Sequence, residues 1–204
     1  MNTLASCADD GEPREQTRKP GKVIWLYGLS GAGKTTLAEA LEKKLQRDGY
    51  PTVLLDGDNL RMGLNKDLGF GDRDREENIR RVSEVAKLFA SSGVIAICSF
   101  ITPLRAHRAR VRETISGQDL IEVYVAASYE VCARRDTKGL YSKAALGLIV
   151  NFTGKDSAFE APAAGEVSII VPTEVESPAE SSERLYLYVK ANLGDVAWGG
   201  RAQG

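Results

Sequence analysis

A backbone holds a phosphate only if several N–H groups converge on it, and glycines let a short loop achieve that. Gly28, Leu29, Ser30, Gly31, Ala32, Gly33, Lys34, Thr35 and Thr36 follow one another and fit G-x-x-x-x-G-K-[ST]. The apolar run Val23 to Tyr27 before them reads as a buried strand. Leu37, Ala40, Leu41 and Leu45 after them share one helical face. That helix would turn its positive dipole end toward a bound anion. In such a cradle Lys34 reaches the β- and γ-phosphates of a nucleoside triphosphate, and Thr35 holds Mg2+. A glycine-rich turn that binds nothing would leave the Lys34-Thr35 pair and its strand-to-helix setting without a reason.

A second constellation closes the next apolar run, Val53-Leu-Leu-Asp56-Gly57-Asp58-Asn59-Leu60-Arg61. Ligands of open α/β sheets bind beyond the carboxyl ends of the strands. A carboxylate there faces the γ-phosphate. It can reach Mg2+ through water or take a proton from an attacking hydroxyl. Asp58 is the catalytic candidate. As a structural residue it would N-cap the short helix that follows, and the two readings are compatible. A third set lies on a helix expected to start near Asp74. Arg75 and Asn78 share a face there and suit a second anionic substrate. Taken alone, Arg75 reads as a surface residue. Glu76, Glu77, Arg80 and Arg81 read as a solvated face.

These groups need a scaffold. Strand candidates at 22–27, 51–56, 94–100, 120–126 and 167–171 alternate with helix candidates at 34–48, 75–92, 103–115, 128–135 and 178–192. The alternation predicts an α/β fold, a P-loop-type parallel sheet with helices on both faces. Segment 137–162 interrupts the pattern and reads as a lid. Residues 1–20 are polar, carry Pro13 and Pro20, and read as a mobile tail; 195–204 read as a frayed one. The rest, 21–194, is expected to be one domain. A formal net charge of −1 argues against a nucleic-acid partner. No apolar run approaches the ~20 residues of a membrane span, and the N-terminus has no apolar signal core. Cys7, Cys98 and Cys132 form no C-x-x-C pair. Cys98, in a strand candidate, and Cys132, in a helix candidate, read as reduced core residues. The expected setting is cytoplasmic.

Several blocks together go further. They are the loop from Gly28 to Thr36, Asp56-Gly-Asp-Asn-Leu-Arg61, Gly63-Leu-Asn-Lys-Asp-Leu-Gly-Phe70, Arg75 with Glu77-Asn-Ile-Arg-Arg81, Ser99-Phe-Ile-Thr-Pro103, Lys138-Gly-Leu-Tyr141 and Asn151-Phe-Thr-Gly154. In this combination, over roughly residues 21–162, the chain resembles the adenylylsulfate kinases (APS kinases). Those enzymes make 3′-phosphoadenylylsulfate from adenylylsulfate and ATP in sulfate assimilation. The resemblance implies γ-phosphoryl transfer from ATP, with Mg2+, to the 3′-hydroxyl of adenylylsulfate. It implies that Asp58 stands beside that hydroxyl, and that Arg61, Arg75 and Asn78 grip the phosphosulfate end. Phe70 and Phe152 would sandwich the adenine, although by residue type alone each reads as an ordinary core residue. Ile101 and Thr102 would line the floor; Lys138, Gly139 and Leu140 would belong to the lid. Arg134, as an ATP contact, and Arg135 precede the lid. They either stabilise the transferred charge or complement a helix C-terminus. A homodimer is also implied.

The chain departs from the family pattern in places. Thr102-Pro103 stands where Ser-Pro is usual. In-line transfer needs no covalent intermediate, so Thr102 joins Lys34 and Asp58 in the catalytic set as a substrate contact more than a nucleophile. Met62 replaces a common His, and Ala144-Ala-Leu-Gly-Leu-Ile-Val150 replaces a basic run in the lid. The lid change bears on affinity more than on reaction type. Asn65-Lys-Asp-Leu68 resembles the guanine-reading Asn-Lys-x-Asp of GTPases, but its aspartate comes one place early and before the third strand. A kinase for another nucleotide-like acceptor fits Phe70, Phe152 and Arg75-x-x-Asn78 less well. A non-catalytic nucleotide-binding domain has no use for intact Lys34, Thr35 and Asp58.

Overall fold

Successive side chains of a strand point to opposite faces, so a strand buried throughout must be covered on both sides. In the computed structural model, which describes residues 20–163 and 165–194, the first strand is of this kind. The elements in chain order are β1 (Val23–Tyr27), α1 (Lys34–Arg47), β2 (Thr52–Asp56), α2 (Gly57–Met62), α3 (Asp72–Ser91), β3 (Ile95–Ser99), α4 (Arg105–Thr114), β4 (Leu120–Val125), α5 (Tyr129–Arg135), α6 (Leu140–Ala145), β5 (Ile169–Val171) and α7 (Pro178–Asn192). Ile24 and Leu26 pack on one face with Leu37, Leu41 and Leu45 of α1 and Leu185 and Val189 of α7. Val23, Trp25 and Tyr27 pack on the other with Ile79, Val82 and Ala86 of α3 and Val111 of α4. The sheet runs β2-β3-β1-β4-β5 and every pair is parallel. The expected α/β architecture holds.

The chain leaves β1 for β2, returns to β3 beside β1, and then crosses to β4 on the far side. The ends of β1, β2 and β3 therefore open onto one crevice, where open α/β sheets bind ligands. Register puts Asp56 opposite Ser99, and Ser99 opposite Leu26, at that edge.

Helix starts depart from expectation, most of all in two places. The third starts at Asp72, after Gly71, and Asp72 and Asp74 in its first turn favour its positive end. The lid region is partly regular. Asp136 accepts hydrogen bonds from the N–H groups of Tyr141 and Ser142 and organises α6, which buries Tyr141 and Ala144. The helix at Pro178–Asn192 has the expected bounds, set by Pro178 and a Ser177–Glu180 capping box. Cys98 and Cys132 are free and buried. Cys7 and the two expected tails, except Pro20, lie outside the described residues. No helix among the described residues is long and apolar enough to cross a membrane.

Candidate active site

Helix α1 starts directly from Gly33, whose φ of 100° is the left-handed conformation that favours glycine. No side chain caps it, so its leading N–H groups are left for an anion. At the other end of the loop Gly28 has φ 152°, and a Cβ there would stand 2.4 Å from the Val125 carbonyl oxygen. Lys34 is buried and folds back onto its own loop, donating to the carbonyls of Gly28 at 3.0 Å and Leu29 at 2.7 Å. Burial first, then the Lys138 ammonium, pushes the Lys34 amine down to about 8 from 10.5. The folded chain thus holds this proton less tightly than the unfolded chain. The charge costs stability in full below about pH 8, and the cost fades as the pH rises toward 10.5.

Asp56 ends β2 and has two tasks. One oxygen accepts from the Asp58 N–H at 3.0 Å, so Asp56, rather than Asp58, N-caps α2. The other accepts from Thr35 Oγ1 at 3.0 Å. A hydroxyl and a carboxylate side by side are the hard oxygen donors that suit Mg2+. Among the described residues no cluster of three His, Cys, Asp or Glu side chains forms a metal cage. A cation at Thr35 and Asp56 must therefore take most of its ligands from phosphate and water. Asp58 is freed from capping. Its carboxylate, 70 % exposed, faces the cavity and pairs with the lid residue Lys138.

The opposite wall is basic and aromatic. The Arg61 guanidinium lies 4.3 Å over the Phe70 ring and donates to the carbonyls of Leu68 and Gly69. Arg75 reaches from α3 to the Phe70 carbonyl and to Asn151 and Thr153 beyond the lid helix. The expected solvated face does more than meet water, because Arg81 pairs with Glu77 and Asp67 and so ties the loop carrying Phe70 to α3. Asn65 is buried against Asn78, to which its amide donates at 2.8 Å, so it is no guanine reader.

A cavity of about 580 Å³ joins these walls. Of the expected site residues, Ser30, Gly31, Gly33, Lys34, Thr35 and Thr36 line it from the loop, and Asp58, Arg61, Phe70, Arg75 and Asn78 from the opposite wall. Ile101 and Thr102 form its floor, and Lys138, Leu140 and Phe152 close the lid side. Gly28, Leu29 and Ala32 shape the loop from behind. Gly139 (φ 64°) turns the chain into α6. Arg134 is exposed and lies outside the lining, whereas its neighbour Arg135 donates to the Gly31 carbonyl and to Thr173. Phe152 lines the cavity yet is only 8 % exposed, with its ring edge-on to Tyr141 at 4.8 Å. The apolar lid residues Leu146, Leu148 and Val150 stand exposed. Sequence reading passed over Trp25, whose buried indole N–H had to find an acceptor somewhere.

A parallel sheet, a lysine-bearing glycine loop at a helix start and an acidic group facing it define a P-loop phosphotransferase. Its basic and aromatic wall is narrower in meaning than that class. The chain belongs to the adenylylsulphate kinase family, whose model matches residues 20–170. It is 56% identical over 152 residues to an adenylyl-sulfate kinase of Clostridium acetobutylicum, covering 74% of this chain and 76% of that one. It is 49% identical over 179 residues to that of Bacillus pumilus, covering 88% and 90%. The structure of the Mycobacterium tuberculosis APS kinase in complex with AMPPNP and APS superposes with a TM-score of 0.78 at 41% identity, over 84% of this chain and 98% of that one.

Proposed function

We propose that this chain moves the γ-phosphoryl group of ATP to the 3′-hydroxyl of adenylylsulfate, leaving ADP and 3′-phosphoadenylylsulfate. The observation that carries the reading is that Lys34, Asp58 and the Arg61–Phe70–Arg75 wall line one cavity, so donor phosphate and acceptor hydroxyl meet in one space. Lys34 swings from its loop carbonyls to the β- and γ-phosphates, which also meet the N–H groups of the loop. Thr35, with Asp56 behind it, would hold Mg2+, which when bound neutralises phosphate charge. Asp58 takes the proton of the attacking hydroxyl. Its partner Lys138 turns to the acceptor's anionic end, with Arg61, Arg75 and Asn78. Residues 21–194 act as one kinase domain, with the lid at about 137–162. The family resemblance supports a homodimer, which sedimentation of the purified chain tests, and the buried, free Cys98 and Cys132 fit a reducing, cytoplasmic setting.

ATP consumption measured with adenylylsulfate, with AMP and with no acceptor tests the reading. Turnover should require adenylylsulfate. Equal rates with AMP would assign another nucleotide kinase, and acceptor-independent hydrolysis an NTPase.

Three further outcomes are expected. Phosphate beside Lys34 should raise its proton affinity, so ATP binding above about pH 8 should take up a proton. Calorimetric titration at about pH 9 in buffers of different ionisation enthalpy reads this directly, and a buffer-independent heat would contradict it. Phe152→Ala should raise the KM for adenylylsulfate about tenfold, since base stacking is worth roughly 1–3 kcal/mol, and change that for ATP less. It should also lower the melting temperature, because the ring packs on Tyr141. Initial rates with each substrate varied in turn decide the matter, and equal effects on both would make Phe152 a packing residue only. Thr102→Ser and Thr102→Ala should both stay active, the alanine variant losing mainly acceptor affinity. A dead alanine variant together with phosphate trapped on wild-type Thr102 would contradict direct transfer.

A further inference from the structure

The floor of the acceptor cavity has an unusual backbone. Thr102 has φ 42°, a left-handed conformation that β-branched residues rarely adopt, and it is 2 % exposed. Such a conformation persists only where its surroundings over-determine it. Every carbonyl of the segment is held. The Gly28 N–H donates to the Ile101 carbonyl at 3.3 Å. Arg108 donates to the carbonyls of Thr102 at 3.4 Å and Pro103 at 3.3 Å. The Glu160 N–H also donates to Pro103 at 2.9 Å. From β1, Trp25 Nε1 donates to Thr102 Oγ1 at 2.9 Å.

Arg108 is costly for what it holds. It is 1 % exposed, its guanidinium lies 5.0 Å over the Tyr27 ring, and its Nη2 has no partner among the described residues. Both its hydrogen bonds go to main-chain carbonyls and neither to a carboxylate. Glu122 and Glu166 lie near enough to feel its charge, but neither pairs with it directly among the described residues. A buried charge with an unpaired donor and no direct ion pair is a poor device for stability. Its observed targets are the two carbonyls that fix the turn at Thr102. Trp25 is likewise buried and stacked on Phe100, and it spends its one donor on the Thr102 hydroxyl. With that oxygen accepting from the indole, its own hydrogen is left to donate elsewhere, and Thr102 lines the cavity.

We propose that Arg108 and Trp25 are positioning residues for the acceptor, acting through Thr102: the arginine fixes its backbone and the indole aims its hydroxyl. The proposal rests on the reading of Thr102 as an adenylylsulfate contact. Neither side chain is among those that line the cavity, so neither touches ATP or the acceptor.

The test compares wild type, Arg108→Lys and Trp25→Phe in initial-rate measurements with ATP and adenylylsulfate varied in turn, alongside thermal melting. Each variant should raise the KM for adenylylsulfate about tenfold, as loss of a buried hydrogen bond predicts. The KM for ATP should stay within about twofold, because the two effects belong to separate sites. Thr102→Gly supplies the backbone conformation without the clamp and removes the hydroxyl. On that background each substitution should therefore cost less than about threefold further, a coupling that a stability defect would not produce. Equal rises in both KM values, or full effects retained on the glycine background, would overturn the proposal. If Arg108→Lys does not fold, Trp25→Phe decides alone, and an unchanged adenylylsulfate KM in it would overturn the proposal. A wild-type enzyme that ignores adenylylsulfate would instead contradict the function proposed above.

Discussion

Lys34→Ala is expected to slow phosphoryl transfer on the order of a hundredfold to a thousandfold while the protein stays folded, the loss typical of removing a preorganised charge from a transferring group. Lys34 is the cation built into the glycine loop, and its amine sits within reach of two loop carbonyls, at 2.7 Å and 3.0 Å. A phosphate in the loop offers it stronger, charged acceptors. The fold should tolerate the change because the charge is held against a burial cost, as its lowered proton affinity records. Removing it relieves that cost and leaves two carbonyls that can turn to water through the cavity. Turnover and thermal melting measured together check this. Near-wild-type turnover would remove the loop from the chemistry, and loss of folding would contradict the burial argument.

The second large effect is expected at Asp58. Asp58→Asn should lower kcat on the order of a hundredfold, the lower range for loss of a general base, with little change in the KM for ATP. The substitution is mild structurally. Asp56 supplies the N-cap of α2, and the Asp58 side chain is mostly exposed to the cavity. The cost should therefore fall on proton removal and on the pairing with Lys138, not on stability. Steady-state rates and a melting curve separate these. A kcat within about twofold of wild type would transfer the role of base elsewhere in the cavity.

Much of this site was legible in the residues because its parts are local. The glycine loop, the Asp56-Gly-Asp58 turn and the Arg75-x-x-Asn78 pair each occupy one strand end or one helix turn, so spacing alone groups them. What spacing could not say depends on contacts across the chain. Asp56 and Asp58 are near-identical in sequence context, and only the Thr35 hydroxyl across the crevice and the Asp58 N–H show which one caps the helix. Arg134 and Arg135 are neighbours on one helix and so point in different directions. The structure turns Arg135 to the loop and Arg134 to solvent. Phe152 reads as part of a polar, irregular segment, yet Tyr141, brought in by the unforeseen α6, buries it. Trp25 and Thr102 are 77 residues apart, and nothing local to either marks the hydrogen bond between them.

The strand predictions fared better than the helix boundaries for a related reason. A strand in the middle of a parallel sheet is a short, mostly apolar run, and β1, β3 and β4 are of this kind, with Glu122 the one charged residue inside them. Helix starts depend on caps. The helix at Pro178–Asn192 is capped by Ser177 directly before it, whereas α6 is capped by Asp136 from outside the helix.

The most direct measurement is to follow the γ-phosphoryl group itself. With ATP labelled at the γ-phosphate and adenylylsulfate as acceptor, the label should appear on the 3′-oxygen of adenylylsulfate, one for each ADP released, and should not appear without the acceptor. Label in free phosphate, at another position of the acceptor, or retained on the protein as a competent intermediate would contradict the account.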